Sequence, residues 1–389
     1  MKDSTTVRVV PFHSSTTAEW DAFVESCSEA YICHLSRYVE ASLDGSSYSE
    51  FSFAIMDGDI FLAICVLRKT RVGLGNILSG PGVAISDHVD RRKAIDIIKK
   101  AIVNLSERLN CQSVAFHIPP MSPGQIGRRY FDSSLAQLGF SFGVRGNFLD
   151  YDYAYVSVIN LGQDNNTILK GFTKGNRADV TRCKRNGMSV VITHAVCPCD
   201  AEWHNFLTIH VQTFERNGLT PFDKARFTVL RESVQLGYLA LVNAYDNTKC
   251  IASILIEIYK GGAYYLAGGC QTSSLSSGVM AFIHYSAMLW AKERGVSWYC
   301  MGSTAPASKT GYGEFKKRFG GEKYDLLSGE LVVDRRGHLR KIVIPCACGL
   351  AGIIPPLFRI IARSSLQRIH TVVSWLKRKL QAKKSYLRS

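Results

Sequence analysis

Residues Trp298 to Glu322 read WYCMGSTAPASKTGYGEFKKRFGGE, an apolar strand closing on Met301-Gly302, a polar loop, and a basic-aromatic helix start that ends at Phe319-Gly320-Gly321. Working outward, Tyr264 to Cys270 is a strand and Gln271 to Gly278, QTSSLSSG, a polar loop. The helix that follows runs from Val279 to about Arg294. A strand that enters a helix through a loop rich in backbone N–H groups is a ready place for a phosphate or another anion.

The segment before this repeats a recognisable grammar. Tyr153 to Ile159 is a strand, Asn165 to Asn186 a basic helix pair stopped by Gly187, Ser189 to His194 a strand, and Asp200 to Asn217 a helix. Tyr238–Tyr245 and Cys250–Tyr259 form a hairpin about Asp246-Asn247, which is turn chemistry. Residues 1–150 follow a similar order. Glu19 to Ser28 and then Ile32 to Ala41 are helical, and strands Phe51–Met56 and Ile60–Leu67 flank Asp57-Gly58-Asp59. Asn76 to Val83 holds a Ser-Gly-Pro-Gly turn. Arg91–Asn110 carries apolar residues at Ala94, Ile98, Ala101, Ile102 and Leu105, one face of a helix, and Val114–Ile118 is a strand. The expectation is a mixed α/β (α+β) protein with two tandem domains, 1–150 and 151–330, of mixed and largely antiparallel sheets. Residues 331–389 form an extension.

At 389 residues the chain exceeds one ordinary core, and 46% hydrophobic with 20% charged residues is the composition expected of a soluble globular protein. The net charge of +15 is concentrated: Leu331 to Ser389 holds 13 Lys/Arg against one Asp, which accounts for +12. In that tail Phe358, Ile361, Leu366, Ile369, Val372, Val373, Leu376 and Leu380 recur at helical spacing with Arg359, Arg363, Arg368, Lys377 and Lys379 between them. The pattern suits a basic amphipathic helix on an anionic membrane surface, or a helix packed back on the body. Ile342–Phe358 is uncharged but carries Pro345, Pro355 and Pro356, which disfavour a spanning helix. The 12 cysteines show no disulfide framework, and Met1–Thr6 opens no secretory signal, so a cytoplasmic protein with reduced thiols is expected. Cys197/Cys199 and Cys346/Cys348 lack a second pair at zinc-ligand spacing, so no metal site is expected. No Walker loop, dinucleotide fingerprint or Ser-His-Asp order is present.

Three segments resemble the FemAB-type transferases, relatives of the GNAT acyltransferases. They are KGFTKGNRADVTRCKRNGMSV at Lys170–Val190, YYLAGGCQTSSLSSG leading to Trp290–Gly295, and FKKRFGG at Phe315–Gly321. With the hairpin they cover roughly residues 150–325. The resemblance implies paired GNAT-like domains about a cleft and transfer of an acyl or aminoacyl group to an amine. The best-known members take amino acids from aminoacyl-tRNA and build peptidoglycan cross-bridges. The long helical hairpin that some members insert is absent, since only about a dozen residues separate His210 from Phe222.

Amide formation by aminolysis develops an oxyanion and releases a proton, so it asks for cations or N–H donors and a base. From the FKKRFGG match, Lys316 is the first candidate for a cation in the cleft, and Arg177 of the basic helix the second. Ser276, Ser277 and Gly278 offer backbone N–H groups to a pyrophosphate or carbonyl oxygen, with Gln271 opening the loop. A plain polar turn is the alternative. Tyr264, Tyr265, Glu257 and Tyr312 are candidates for proton transfer. Strand alternation lets only one of Tyr264 and Tyr265 face the cleft. Glu257 interrupts the apolar strand ILIEIY, where an ionised carboxylate is costly unless paired or exposed. His34, in YICHLSRY, occupies a first-domain place where the family often carries a His before an aromatic residue; capping or packing would also account for it.

The expected activity is amide-forming N-acyl or aminoacyl transfer to an anionic, amine-bearing cell-envelope precursor at the inner face of the plasma membrane. Aminoacyl-tRNA or acyl-CoA would be the co-substrate, with no tightly bound cofactor. The alternatives are acyl-CoA-dependent N-acylation of an amino sugar in exopolysaccharide or lipid synthesis, a non-catalytic membrane-associated binding module, and nucleic-acid binding by the basic segments.

Overall fold

A computed structural model describes residues 7–12, 17–40, 48–72, 75–117, 141–144, 155–304 and 311–333. In chain order the first part contains β1 (Val7–Pro11), α1 (Thr17–Ser26), a 3-10 turn at Ile32–His34, α2 (Ser36–Glu40), β2 (Phe53–Asp57), β3 (Ile60–Val72), β4 (Gly75–Ile85), α3 (Arg91–Arg108), β5 (Cys111–His117) and β6 (Ser141–Val144). It continues with β7 (Tyr155–Asn160), α4 (Asn165–Gly171), α5 (Lys174–Arg185), β8 (Ser189–His194), α6 (Asp200–Arg216), α7 (Lys224–Gln235), β9 (Leu239–Asp246), β10 (Lys249–Tyr259) and β11 (Gly262–Cys270). A 3-10 turn at Thr272–Ser274 precedes α8 (Val279–Glu293), β12 (Trp298–Thr304), α9 (Gly311–Lys317), β13 (Glu322–Asp325) and β14 (Leu327–Val332).

Two mixed sheets result, ordered β1-β2-β3-β4-β5-β14-β6 and β13-β7-β12-β11-β10-β9-β8. Each is antiparallel apart from one parallel pair, β4 with β5 and β11 with β12. In each case a single helix, α3 or α8, makes the crossover that a parallel pair requires. The two halves therefore repeat one architecture, as their element order implied.

The helices begin where the sequence supplies caps. Asp90, Asp164 and Asp223 each accept backbone N–H groups at the starts of α3, α4 and α7. Apolar faces then bury. Ile95, Ile98, Ile102 and Leu105 of α3 pack on one face of the first sheet, while α5 and α8 cover one face of the second. Trp203 and Phe206 of α6 and Leu230 and Val234 of α7 form a smaller cluster on Leu241 and Leu255. The remaining faces meet in a shared core. There Trp20, Phe23, Tyr31 and Leu35 pack with Val156, Val158, Tyr259, Cys300 and Leu326. Lys260, in the β10–β11 turn, ties this seam by donating from Nζ to the carbonyls of Val24, Cys27 and Ala30, at 2.8, 2.6 and 3.1 Å, where α1 ends.

Three features depart from the sequence reading. Ser79-Gly80-Pro81-Gly82 is not a turn but lies within β4, where a bulge opposite Val66–Arg68 accommodates the proline. A Cβ on Gly80 would sit 1.9 Å from the Val66 carbonyl oxygen. The expected boundary at 330 falls inside β14, which returns to the first sheet and pairs with β5 and β6. Helix α7 was not anticipated, although Asp223 and the spacing of Phe227, Leu230 and Val234 signal it. The predicted tail helix at 358–380 lies outside the described residues. Among those described, no helix is long and apolar enough to cross a membrane.

Candidate active site

The parallel strands β11 and β12 pair only at Gly262–Trp298, Ala263–Tyr299 and Tyr264–Cys300. Beyond that point β12 shifts register against β7 between Cys300 and Ser303, and Gly302 adopts φ +78. Lys316 enters where the strands part. It is only 2% exposed, and its Nζ donates to the Ser303 carbonyl at 2.9 Å and lies 5.7 Å from the Tyr265 ring centroid. A Cβ on Gly302 would come within 2.8 Å of that Nζ and 2.9 Å of the Tyr265 carbonyl, so the positive φ and the missing side chain make room for the amine. Burial pushes the Lys316 ammonium down to about 7, against a smaller opposing pull from the Cys300 thiol.

The sequence places Lys316 here through its neighbours. Phe315 and Phe319 stack edge-on at 5.0 Å, and Phe319 meets Phe172 at 5.1 Å and His284 at 5.0 Å. These rings hold α9 over the sheet. His284, which sequence reasoning passed over, is fully buried beneath them, with Nδ1 2.9 Å from the Tyr299 hydroxyl. Burial, with the Lys316 charge second, holds His284 at about 3, so its imidazole is neutral.

On the opposite face of the second sheet, Glu257 on β10 lies directly across from Tyr264 on β11, which in turn pairs with Cys300. Tyr264 belongs to the shared core, whereas Tyr265 points into the α8 side and donates to the Gly268 carbonyl at 2.9 Å. Alternation thus puts the two tyrosines on opposite faces of the sheet. Its hydroxyl is 3.3 Å from the Ser303 Oγ, so Ser303 touches Lys316 through its carbonyl and Tyr264 through its side chain. Glu257 is 8% exposed; burial raises its carboxyl to about 7, and a hydrogen bond from Tyr31 of the first half pulls the other way. The tyrosine that holds it comes from 226 positions earlier in the sequence.

The remaining candidates take other places. Arg177 turns its guanidinium onto the carbonyls of Lys170, at 3.2 Å, and Phe172, beyond the end of α4. Gln271 donates to the Cys250 carbonyl at 2.7 Å. Ser277 bonds within its own turn, its Oγ donating to the Ser274 carbonyl at 2.7 Å and accepting the Val279 N–H at 3.2 Å. The carbonyls of Ser276 and Ser277 accept from Arg182, at 3.3 and 2.9 Å. Gly278, at φ +80, caps α8 so tightly that a Cβ would lie 2.5 Å from Asp179. His34 is fully buried, and its Nδ1 accepts the Tyr31 N–H at 3.0 Å; burial lowers it to about 4. It is a neutral brace for the turn that presents Tyr31. Tyr312 lies in α9, and its side chain is outside the described residues.

Residues 174–317 match the family model described as "Acetyltransferase (GNAT) domain". In fold the chain is similar to the crystal structure of FemX, at TM-score 0.63 and 15% identity over 86% of this chain and 99% of that one. It is also similar to L-PGS from Bacillus licheniformis, at TM-score 0.53 and 14% identity over 84% and 96% of the two chains. A conserved protein of unknown function from Bacteroides thetaiotaomicron gives TM-score 0.51 and 10% identity over 84% and 100%. No curated protein matches the chain by sequence.

Proposed function

We propose that the chain, whose residues 174–317 match a GNAT acetyltransferase domain, is an acyltransferase that forms an amide bond on an amine of an anionic cell-envelope precursor. In this reading the amine nitrogen attacks the carbonyl carbon of an acyl or aminoacyl donor. The new C–N bond replaces the C–O bond of an aminoacyl ester or the C–S bond of a thioester. The amine's proton passes to the Glu257 carboxylate, and the departing oxygen or sulfur leaves as an anion that water protonates. Lys316 faces the oxyanion, and Tyr264, through Ser303, orders the polar groups between them. The observation that carries the reading is the burial of Lys316 where β11 and β12 part. An amine held near 7 gains a full charge as negative charge develops beside it, in surroundings where that charge is weakly screened. Glu257, also held near 7, is matched to accepting a proton at neutral pH.

An aminoacyl donor is what the resemblance of Lys170–Val190 and Phe315–Gly321 to the FemAB-type transferases implies, and the match to an acetyltransferase domain supports an acyl donor such as acyl-CoA, with an amino sugar as acceptor, as the second reading. The donors separate by thermal unfolding of the full chain with CoA or charged tRNA, since only the true donor raises the midpoint. Mass spectrometry of envelope precursors from cells with and without the chain then names the group added. Unchanged precursor masses would refute the proposal. A peripheral position at the inner membrane face rests on the basic tail, with +12 of the charge after residue 330. Truncation at about Val332 should release the protein from membranes, and continued retention would refute that part.

A further inference from the structure

The seam between the two halves holds polar donors with no acceptor. Arg37, on α2, is partly exposed, yet its Nε and Nη1 are buried without a hydrogen-bond partner. Its guanidinium carbon lies 5.0 Å from the centroid of the Tyr238 ring, which belongs to the second half. The Tyr259 ring is 6.1 Å from that of Tyr238, and the Tyr259 hydroxyl is likewise buried without a partner on a side chain only 5% exposed. Two nearby carboxylates already serve other donors. Asp21 accepts from the Ser36 N–H and hydroxyl, at 2.7 Å each, and Glu25 accepts from the Tyr238 hydroxyl at 2.9 Å. Among the described residues no carboxylate forms an ion pair with Arg37.

Buried donors are normally paired, and a buried guanidinium especially so. Asp21 and Glu25 are both engaged by other donors, and the Arg37 guanidinium and the Tyr259 ring share Tyr238 as an aromatic neighbour. Arginine stacked on a ring keeps its N–H groups free for an oxyanion, and is preferred over lysine for that reason. Tyr259 also carries Lys260 5.2 Å from its ring, a second cation that offsets Asp21 and Glu25. Tyr31 stands 5.5 Å from Tyr259 and hydrogen-bonds Glu257, so the place lies one tyrosine away from the proposed proton acceptor.

We propose that Arg37 and Tyr259, with Tyr238 as the supporting ring, form a subsite for a phosphate or carboxylate oxyanion of the acceptor molecule. This rests on the transferase reading for the identity of the ligand, but not for the existence of the site. It also replaces Arg177, whose guanidinium is engaged on backbone carbonyls.

The test is titration calorimetry of the full chain with pyrophosphate and, separately, with citrate. Arg37→Met keeps the stem on Tyr238 and removes the donors, and should weaken binding by about tenfold or more. Arg37→Lys should weaken it less, and Arg294→Met, which removes a different ring-stacked arginine, should leave it unchanged. Arg37-dependent binding of pyrophosphate identifies a phosphate-bearing acceptor, and of citrate alone a carboxylate-bearing one. Equal affinity in wild type and Arg37→Met, or no binding of either probe, overturns the subsite. Should Arg37→Met fail to fold, Tyr259→Phe removes a single hydroxyl and must also weaken binding. Binding that persists in a chain without transferase activity would refute the proposed function alone.

Discussion

Replacing Lys316 by Met should give a protein that is more stable at neutral pH and inactive. The reasoning is electrostatic. Lys316 is 2% exposed, and burial lowers it from 10.5 to about 7. A group depressed on folding contributes stability above its unfolded value and loses it as pH falls through its folded value. Wild type should therefore gain on Lys316→Met from pH 7 to 10.5. At about 1.4 kcal/mol per pH unit the interval amounts to about 5 kcal/mol. Met fills a similar volume but leaves the Ser303 carbonyl without its donor, a loss of about 1 kcal/mol. The variant should thus be the more stable by up to about 4 kcal/mol at pH 7 and below, and the advantage should be gone near pH 10. Urea unfolding at intervals between pH 6.5 and 10, with equal m-values, measures this directly. Loss of an oxyanion-stabilising cation should lower kcat by about 100-fold or more. A stability difference that stays constant with pH, or a variant less stable at pH 7, would refute the argument that Lys316 is held as a poorly solvated amine.

Further expectations concern residues around it. Glu257 is raised from 4.5 to about 7, so its contribution to stability is present below 4.5 and lost as pH rises through 7. Glu257→Gln should be the more stable protein above pH 7 by about 3 kcal/mol, and should abolish the acid limb of kcat/KM near pH 7; parallel stability curves for the two proteins would count against it. Arg177→Met should destabilise by about 1–2 kcal/mol through the carbonyls of Lys170 and Phe172, whereas a raised acceptor KM at unchanged stability would return Arg177 to the anion-binding role expected from sequence. Gly278→Ala combines φ +80 with a Cβ 2.5 Å from Asp179, and a loss of about 2–3 kcal/mol in chemical denaturation is expected; a loss under about 1 kcal/mol would mean that the α8 cap has room to shift.

Much of the element order was legible because it is local. Asp246-Asn247 announced the β9–β10 hairpin, and the register confirms Lys249 opposite Asp246. The 279–293 helix follows from its continuous apolar run. Long-range pairing was not legible. The β14 segment LSGELV has no feature that assigns it to β5 and β6 rather than to the sheet it has just left. The Gly-Pro-Gly of β4 reads as a turn in isolation and becomes a bulge only because Val66 and Arg68 lie beside it.

The candidate site divides the same way. The FKKRFGG resemblance to the FemAB-type transferases singled out Lys316, and residue types able to carry a proton on otherwise apolar strands singled out Glu257 and Tyr264. Tertiary structure decided what surrounds each of them. It turned Tyr264 and not Tyr265 to the seam, brought Tyr31 onto Glu257, engaged Arg177 on backbone carbonyls and left Arg37 without an acceptor. The physical reason is that a pKa or an unmet hydrogen bond depends on how much water and which partners surround a group. Those surroundings are built here from segments as far apart as Tyr31 and Glu257, and no local pattern encodes them.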